Sequence, residues 1–407
     1  MPNYFTATSP IHTDESNPFA NNTMKVRVPE IIQQTIDLNS NYSDNIKDRL
    51  KALRDAIAND AVIPTLDETS APDYDSWFTA LEEQRGQTDG ELTWHNVQWF
   101  FAETYAYRLV IQAVRWFETR RDPFLPKKQE ELSGDALWSL LDRALNRTGT
   151  VEEQLSQAVA FGLWGNRIDL SFAASMAHGT TVSADDLLVD NRPDLLTYLK
   201  ESATDAPLKS SQPAYIIADN TGSELAMDLV LIDFLLEHIT DTVYLHVKSH
   251  PTFVSDATPT DVLMLLDKMQ DHSGATDNLA RRLITYWEQE RFVIVPHPFW
   301  TSSAFMWHMP PTLHGLLNTA RLVIVKGDAN YRRTVGDAVW DVSVPFSDVT
   351  RYLDTPLMCL RTLKSDPIIG LPTTEAATKL DQIDPLWRSN GKRGVIQFKP
   401  YTESNTQ

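Results

Sequence analysis

Two hydrophobic rhythms divide the chain. From about residue 44 to 200 the apolar positions recur at helical spacing. In SDNIKDRLKALRDAIAN, Ser43 stands as an N-cap, and Ile46, Leu50, Leu53 and Ile57 fall on one face. The run 94–119 is dense in aromatic residues and reads as a central helix. Further helical stretches surround Trp138 and Leu141, then cover 151–163 and 184–199. After Lys209 short runs rich in Val and Ile, apolar on both faces, alternate with helical ones. AYIIAD, TVYLHV, FVIVPH, RLVIVK and LMCLRT are five expected strands, with helices expected over 223–239, 261–269, 278–290 and 312–320. Such alternation predicts an α/β protein whose parallel sheet is covered on both sides. The expected order is a polar arm (1–25), an all-helical domain (26–205), a Rossmann-like α-β-α sandwich with a mostly parallel sheet (206–398) and a polar tail (399–407).

Open parallel sheets bind ligands beyond the carboxyl ends of their strands. Those ends carry Asp219 and Asn220, then Asp256, His297, the trio Lys326, Gly327 and Asp328, and finally Arg361 to Lys364. In ADNTGSE, Asp219 and Asn220 before Gly222 are either a helix cap or half of a hard-metal site, because a carboxylate and an amide oxygen suit Mg²⁺ or Mn²⁺. Asp256, in FVSDAT, supplies the second carboxylate. In VIVKGDANYRR, Lys326, Arg332 and Arg333 outweigh Asp328, and the basic enrichment returns in RTLK. A solvated basic face is one reading. Guanidinium forks and ammonium charges converging with a metal on a phosphate are the other, with Asp328 orienting a water or sugar hydroxyls.

Composition narrows the field. A formal net charge of −19 repels phosphodiester backbones and anionic lipid, so neither nucleic acid nor a membrane surface is an expected partner. The greasiest run, LAMDLVLIDFLLEHI, holds Asp228, Asp233 and Glu237 and is too charged to span a bilayer. The polar, acidic N-terminus shows no signal peptide. The single cysteine, Cys359, is expected in a strand as a core thiol and fits a reducing, cytoplasmic setting. No GxxxxGK[ST], GxGxxG after a strand, GxSxG or HExxH occurs, and Thr221 breaks a paired-aspartate phosphatase signature.

The ordered motifs LWGNRIDLS, IIADNTGSE, FVSDAT, VIVKGDANYRR and LRTLK resemble the metal-dependent damage-control phosphatases. The likeness is closest to their third subfamily, also described as acidic-residue or protein-glutamate methyltransferases. RTLK at 361–364 matches that subfamily's RTxK signature, and WFFAETYAYRLV resembles its N-terminal helix; the resemblance spans about 92–395. It implies a helical cap on an α-β-α sandwich. It also implies that Asp219, Asn220 and Asp256 hold a divalent metal (Mn²⁺, Co²⁺, Ni²⁺ or Mg²⁺). Asp328, Asn330 and Lys364 would touch the phosphorylated substrate, with Glu224 and Arg361 close by. Glu103 matches a position linked to S-adenosylmethionine, and Asn166 and Asp169 would support the site from the helical half. Ala329 and Leu109 depart from the family pattern.

The expected activity is hydrolysis of small sugar phosphates such as fructose 1-phosphate or fructose 6-phosphate, in metabolite damage control. Lys326, Lys364 and Arg361 would neutralise phosphoryl oxygens. Attack would come from an activated water, or alternatively through an aspartyl-phosphate on Asp219. A carboxyl methyltransferase and a non-catalytic sugar-phosphate-binding regulator are the rival readings.

Overall fold

A computed structural model of the chain describes residues 8–165, 186–203 and 208–401. Its helical half begins earlier than the polar arm predicted from the sequence. The Asn17 side chain accepts from Ala20 N and Pro18 opens the helix Pro18–Asn22, which continues through a π-turn (Thr23–Arg27) into Val28–Leu38. Ala20, Met24, Val28 and Ile32 are buried, so this segment belongs to the helical core. Ser43 caps the helix Asp44–Ala58 as expected, accepting from Ile46 N. The aromatic run forms Trp99–Ala113, shorter than 94–119. Its flanks bond elsewhere: Thr13 N donates to Val97 O, Trp99 N donates to Ile11 O, and Arg115 turns left-handed at φ 55°.

All five expected strands form, within a seven-stranded sheet of order β1-β7-β6-β5-β2-β3-β4. The strands are β1 Leu187–Asp190, β2 Ala214–Ile217, β3 Val243–Lys248, β4 Phe292–His297, β5 Leu322–Lys326, β6 Leu357–Thr362 and β7 Gly394–Lys399. Only β6 and β7 pair antiparallel. The expected helix over 184–199 is, in its described part, strand β1 followed by the helix Arg192–Glu201.

One face of the sheet is covered by Val151–Trp164, Ser223–His238, Pro259–Gln270 and Ala275–Glu288. The other is covered by Pro311–Leu317, Phe346–Val349 and Thr374–Ile383. Thus two helices on the first face, Val151–Trp164 and Arg192–Glu201, and the edge strand β1 come from residues before 206. Strand β2 has β5 on one side and β3 on the other, the switch in strand order where a crevice opens. No helix among the described residues is long and apolar enough to cross a membrane.

Candidate active site

Beyond β2 the chain turns through Asp219, Asn220, Thr221 and Gly222 into the helix Ser223–His238. Gly222 has φ +68°, a conformation glycine adopts freely. The loop after β3 laces onto this turn. Thr221 N donates to Ser255 O (2.7 Å), Ala257 N donates to Asp219 O (2.8 Å), and Asn220 bridges to Asp256. In that loop Phe253 and Val254 lie at φ +46° and +67°, which is strained for a β-branched residue. Both pack against the helical core, with the Phe253 ring 5.0 Å from Tyr107.

The carboxylates so placed are buried: Asp219 is 6% exposed and Asp256 1%. Asp219 Oδ2 accepts from Asn220 Nδ2 (2.9 Å), while its Oδ1 has no hydrogen-bond partner among the described residues. Asn220 Nδ2 also donates to Glu224 Oε2 (3.0 Å), so one amide stands between two acids. Asp256 Oδ2 lies 3.1 Å from Lys248 Nζ, an ion pair whose alignment falls short of a hydrogen bond. Gly327, at φ +83°, lets the end of β5 press on Asp219, where a Cβ would fall 2.0 Å from the carboxylate.

Acids crowd this pocket. Asp219, Glu224, Asp228 and Asp256 are four buried acids among the described residues; Lys248 and Lys326 are buried against them, and Lys128, Arg333 and Lys364 are within charge reach. Burial raises Asp219 well above the usual carboxylate range, and Asp256 and Glu224 push the same way against Lys248 and Lys364. Burial raises Asp256 as well, opposed by Lys248. It lifts Asp228 to about 7 in spite of Lys326. Buried charges need partners, and protons or a cation can supply them.

Lys326 and Arg361, expected at the phosphate, are placed otherwise. Lys326 Nζ donates to Asp228 (2.6 Å) and Glu224 (3.2 Å). Arg361 is fully buried, bonding Asp328 Oδ1 (2.8 Å), Ser365 and the Pro367 carbonyl. Asp328 is correspondingly filled: it also accepts from Lys364 N (2.9 Å) and Ser365 Oγ (2.6 Å). Asn330 donates to Ala218 O and Lys326 O and accepts from Lys248, joining the ends of three strands. Lys364 is half-buried and within charge reach of Asp219, and its ammonium forms no salt bridge among the described residues. Glu103 pairs with Arg332 (2.7 Å), which Asp337 holds from the other side. His297 accepts from Phe299 N and lines a separate cavity of about 810 Å³. Asn166 and Asp169 lie outside the described residues.

Sequence reasoning missed Lys248. It ends the buried strand VYLHVK just as Lys326 ends LVIVK, a signal that was present.

The donor set fits a hard divalent cation. It offers two buried carboxylates, one with an oxygen that has no hydrogen-bond partner among the described residues, beside an amide. Among the described residues no group of three or more His, Cys, Asp or Glu gathers for a metal.

Fold and site together define a Rossmann-like α/β protein with an acidic crevice at the strand ends, roofed by a helical half. Residues 23–380 match the model of the damage-control phosphatase ARMT1-like domain, and the chain belongs to that family. It is 29% identical over 423 residues to damage-control phosphatase ARMT1 of Rattus norvegicus, covering 93% of this chain and 96% of that protein. The Mus musculus protein of the same name is 30% identical over 422 residues, with the same coverage, and the Danio rerio one 29% over 440, covering 95% and 96%. A solved DUF89 family protein from Pyrococcus horikoshii shares the fold at TM-score 0.51 and 13% identity, covering 94% of this chain and 98% of that one.

Proposed function

We propose that this chain is a metal-dependent phosphomonoesterase that hydrolyses small sugar phosphates of the fructose 1-phosphate or fructose 6-phosphate type, in the cytoplasm, as metabolite damage control. The observation that carries the reading is the buried oxygen of Asp219 that has no hydrogen-bond partner among the described residues, beside Asp256 and Glu224. Asp219, Asn220 and Asp256 hold the divalent cation, which when bound polarises a phosphoryl oxygen and lowers the pKa of a water. Uncatalysed monoester hydrolysis is so slow that electrostatic stabilisation must dominate.

Lys364 meets the phosphoryl group as the uncommitted ammonium at the rim. Asp328, held by Arg361, Ser365 and the Lys364 amide, fixes the direction from which Lys364 approaches. Lys326 pairs with Glu224 and Asp228 beneath the site. The Glu103–Arg332–Asp337 chain joins the helical half to the helix that begins at Asp328.

The test is phosphate release from a panel of sugar phosphates after EDTA treatment and re-addition of Mn²⁺, Co²⁺, Ni²⁺ or Mg²⁺. Activity should vanish with chelation and return with metal. Lys364→Ala should lower kcat/KM by roughly ten- to a hundredfold, the value of one charge-assisted contact, and weaken inhibition by inorganic phosphate in parallel. Hydrolysis that survives exhaustive chelation would sink the reading.

A further inference from the structure

One short helix of the helical half, Leu125–Leu132, reaches both loops that carry the candidate metal ligands. Lys128, buried, donates to Asp122 Oδ2 (2.9 Å), Asp261 Oδ2 (2.8 Å) and the backbone carbonyl of Asp256 (3.2 Å). Asp261 Oδ2 also accepts from Thr258 N and Oγ1, closing the capping box that starts the helix Pro259–Gln270. A single ammonium therefore ties the Asp256 carbonyl to the start of the helix after it.

Glu131 stands three residues on, on the same face of its helix. Its Oε1 accepts from Ser223 N (2.8 Å), the first amide of Ser223–His238, and the carboxyl lies against Gly222. A Cβ on Gly222 would fall 2.2 Å from that carboxyl, so the turn after Asn220 is shaped to receive it. The helix itself is anchored through Phe124, whose ring lies 6.0 Å from Tyr107. Tyr107 also meets Phe253 in the strained loop before Asp256.

We infer that Lys128 and Glu131 are positioning residues that set the spacing between Asp219 and Asp256, so that the helical half, and not the sandwich alone, determines how tightly the site takes its cation. The inference rests on the metal-dependent reading given above. Left-handed backbone at Phe253 and Val254 persists only where surrounding contacts hold it; the Tyr107 ring holds Phe253, and Lys128 fixes the Asp256 carbonyl two residues past Val254. Ligand loops held in advance bind a cation without first being ordered, so releasing them weakens affinity more than turnover of the loaded enzyme.

The experiment is calorimetric titration of the full chain with Mn²⁺ alone, beside melting curves in EDTA and activation curves against Mn²⁺. Glu131→Ala should weaken Mn²⁺ binding at least tenfold, while kcat at saturating Mn²⁺ stays within about threefold. Glu131→Gln keeps an acceptor for Ser223 N and should recover most of the affinity. Lys128→Arg, which keeps the charge, should bind Mn²⁺ more tightly than Lys128→Met. Arg282→Ala, which breaks a remote ion pair with Asp233 on the same helix as Ser223, should lower the melting temperature without moving Mn²⁺ affinity. A folded Glu131→Ala with wild-type Mn²⁺ affinity overturns the positioning role and leaves the metal reading standing. A wild-type protein that binds no divalent cation overturns both.

Discussion

Asp73 in the helical half and Asp219 at the strand ends are both buried carboxylates, 7% and 6% exposed, and they are held in opposite ways. Asp73 receives a two-pronged hydrogen bond from Arg108, at 2.7 and 2.9 Å, and a third from Trp77 Nε1, with His250 Nε2 3.6 Å away. Burial pushes its carboxyl up, but His250 and Arg108 outweigh burial and pull it down to about 2. Asp219 receives one neutral amide donor, faces two other acids and keeps one oxygen without a hydrogen-bond partner among the described residues. Burial is common to both sites, so burial does not mark function. The local partners do: cations close around Asp73 in the helical half, and acids crowd Asp219 where strand order reverses.

The sharpest way to break this contrast is to remove a negative charge from the crevice. Asp219→Asn or Asp256→Asn should cost activity by roughly two to three orders of magnitude or more, the scale of losing a preorganised electrostatic contact. Metal-free Asp219→Asn should melt no lower than wild type, because it relieves crowding among like charges, whereas Asp256→Asn strips buried Lys248 of its carboxylate and should melt lower. Steady-state rates across a Mn²⁺ series and melting curves in EDTA check both halves. Near-wild-type turnover of both variants would erase the distinction.

Arg108→Met reverses the experiment. It strands Asp73 and Glu68 without the guanidinium that both contact, and removing one partner of a buried pair costs about 3–5 kcal/mol. Urea unfolding should show that loss in full. The kcat of the folded fraction should change little, since no contact of Arg108 reaches Asp219, Asp256 or Lys364.

The same contrast explains what the sequence could reveal. Strands β2, β3, β5 and β6 were legible because their apolar runs are buried on both faces, and edge strand β4 because FVIV is apolar although most of it is only half-buried. Strand β7 was not, because Gln397 and Lys399 interrupt its apolar pattern; both are buried, donating to Ile369 O and Thr350 O. Four-residue β1 is too short to show alternation and was absorbed into the helical pattern around it. Asp219, Asn220 and Asp256 announced themselves by following strands. The different fates of Lys248 and Lys326 did not, because each is decided by which acid the neighbouring helix or loop brings within reach. Lys128 and Glu131 sit in LPKKQEEL, which reads as a solvated face, and only tertiary contacts 128 and 92 residues away in sequence turn it inward.

The smallest expected effect tests the closed side by pH. The Asp73 carboxyl is depressed from 3.8 to about 2 in the folded chain, so its charged form stabilises the fold. That contribution is fully present above the unfolded value near 4 and disappears as pH falls through about 2. A shift of this size corresponds to about 2 kcal/mol. Asp73→Asn keeps the shape and loses the charge, so its deficit against wild type should be constant from pH 5 to 8 and shrink steadily below pH 4. Urea midpoints of the two proteins across that range measure the difference directly. A deficit that does not shrink in acid would mean that Asp73 acts through packing and hydrogen-bond geometry alone. The contrast drawn between the two regions would then lose its reference point.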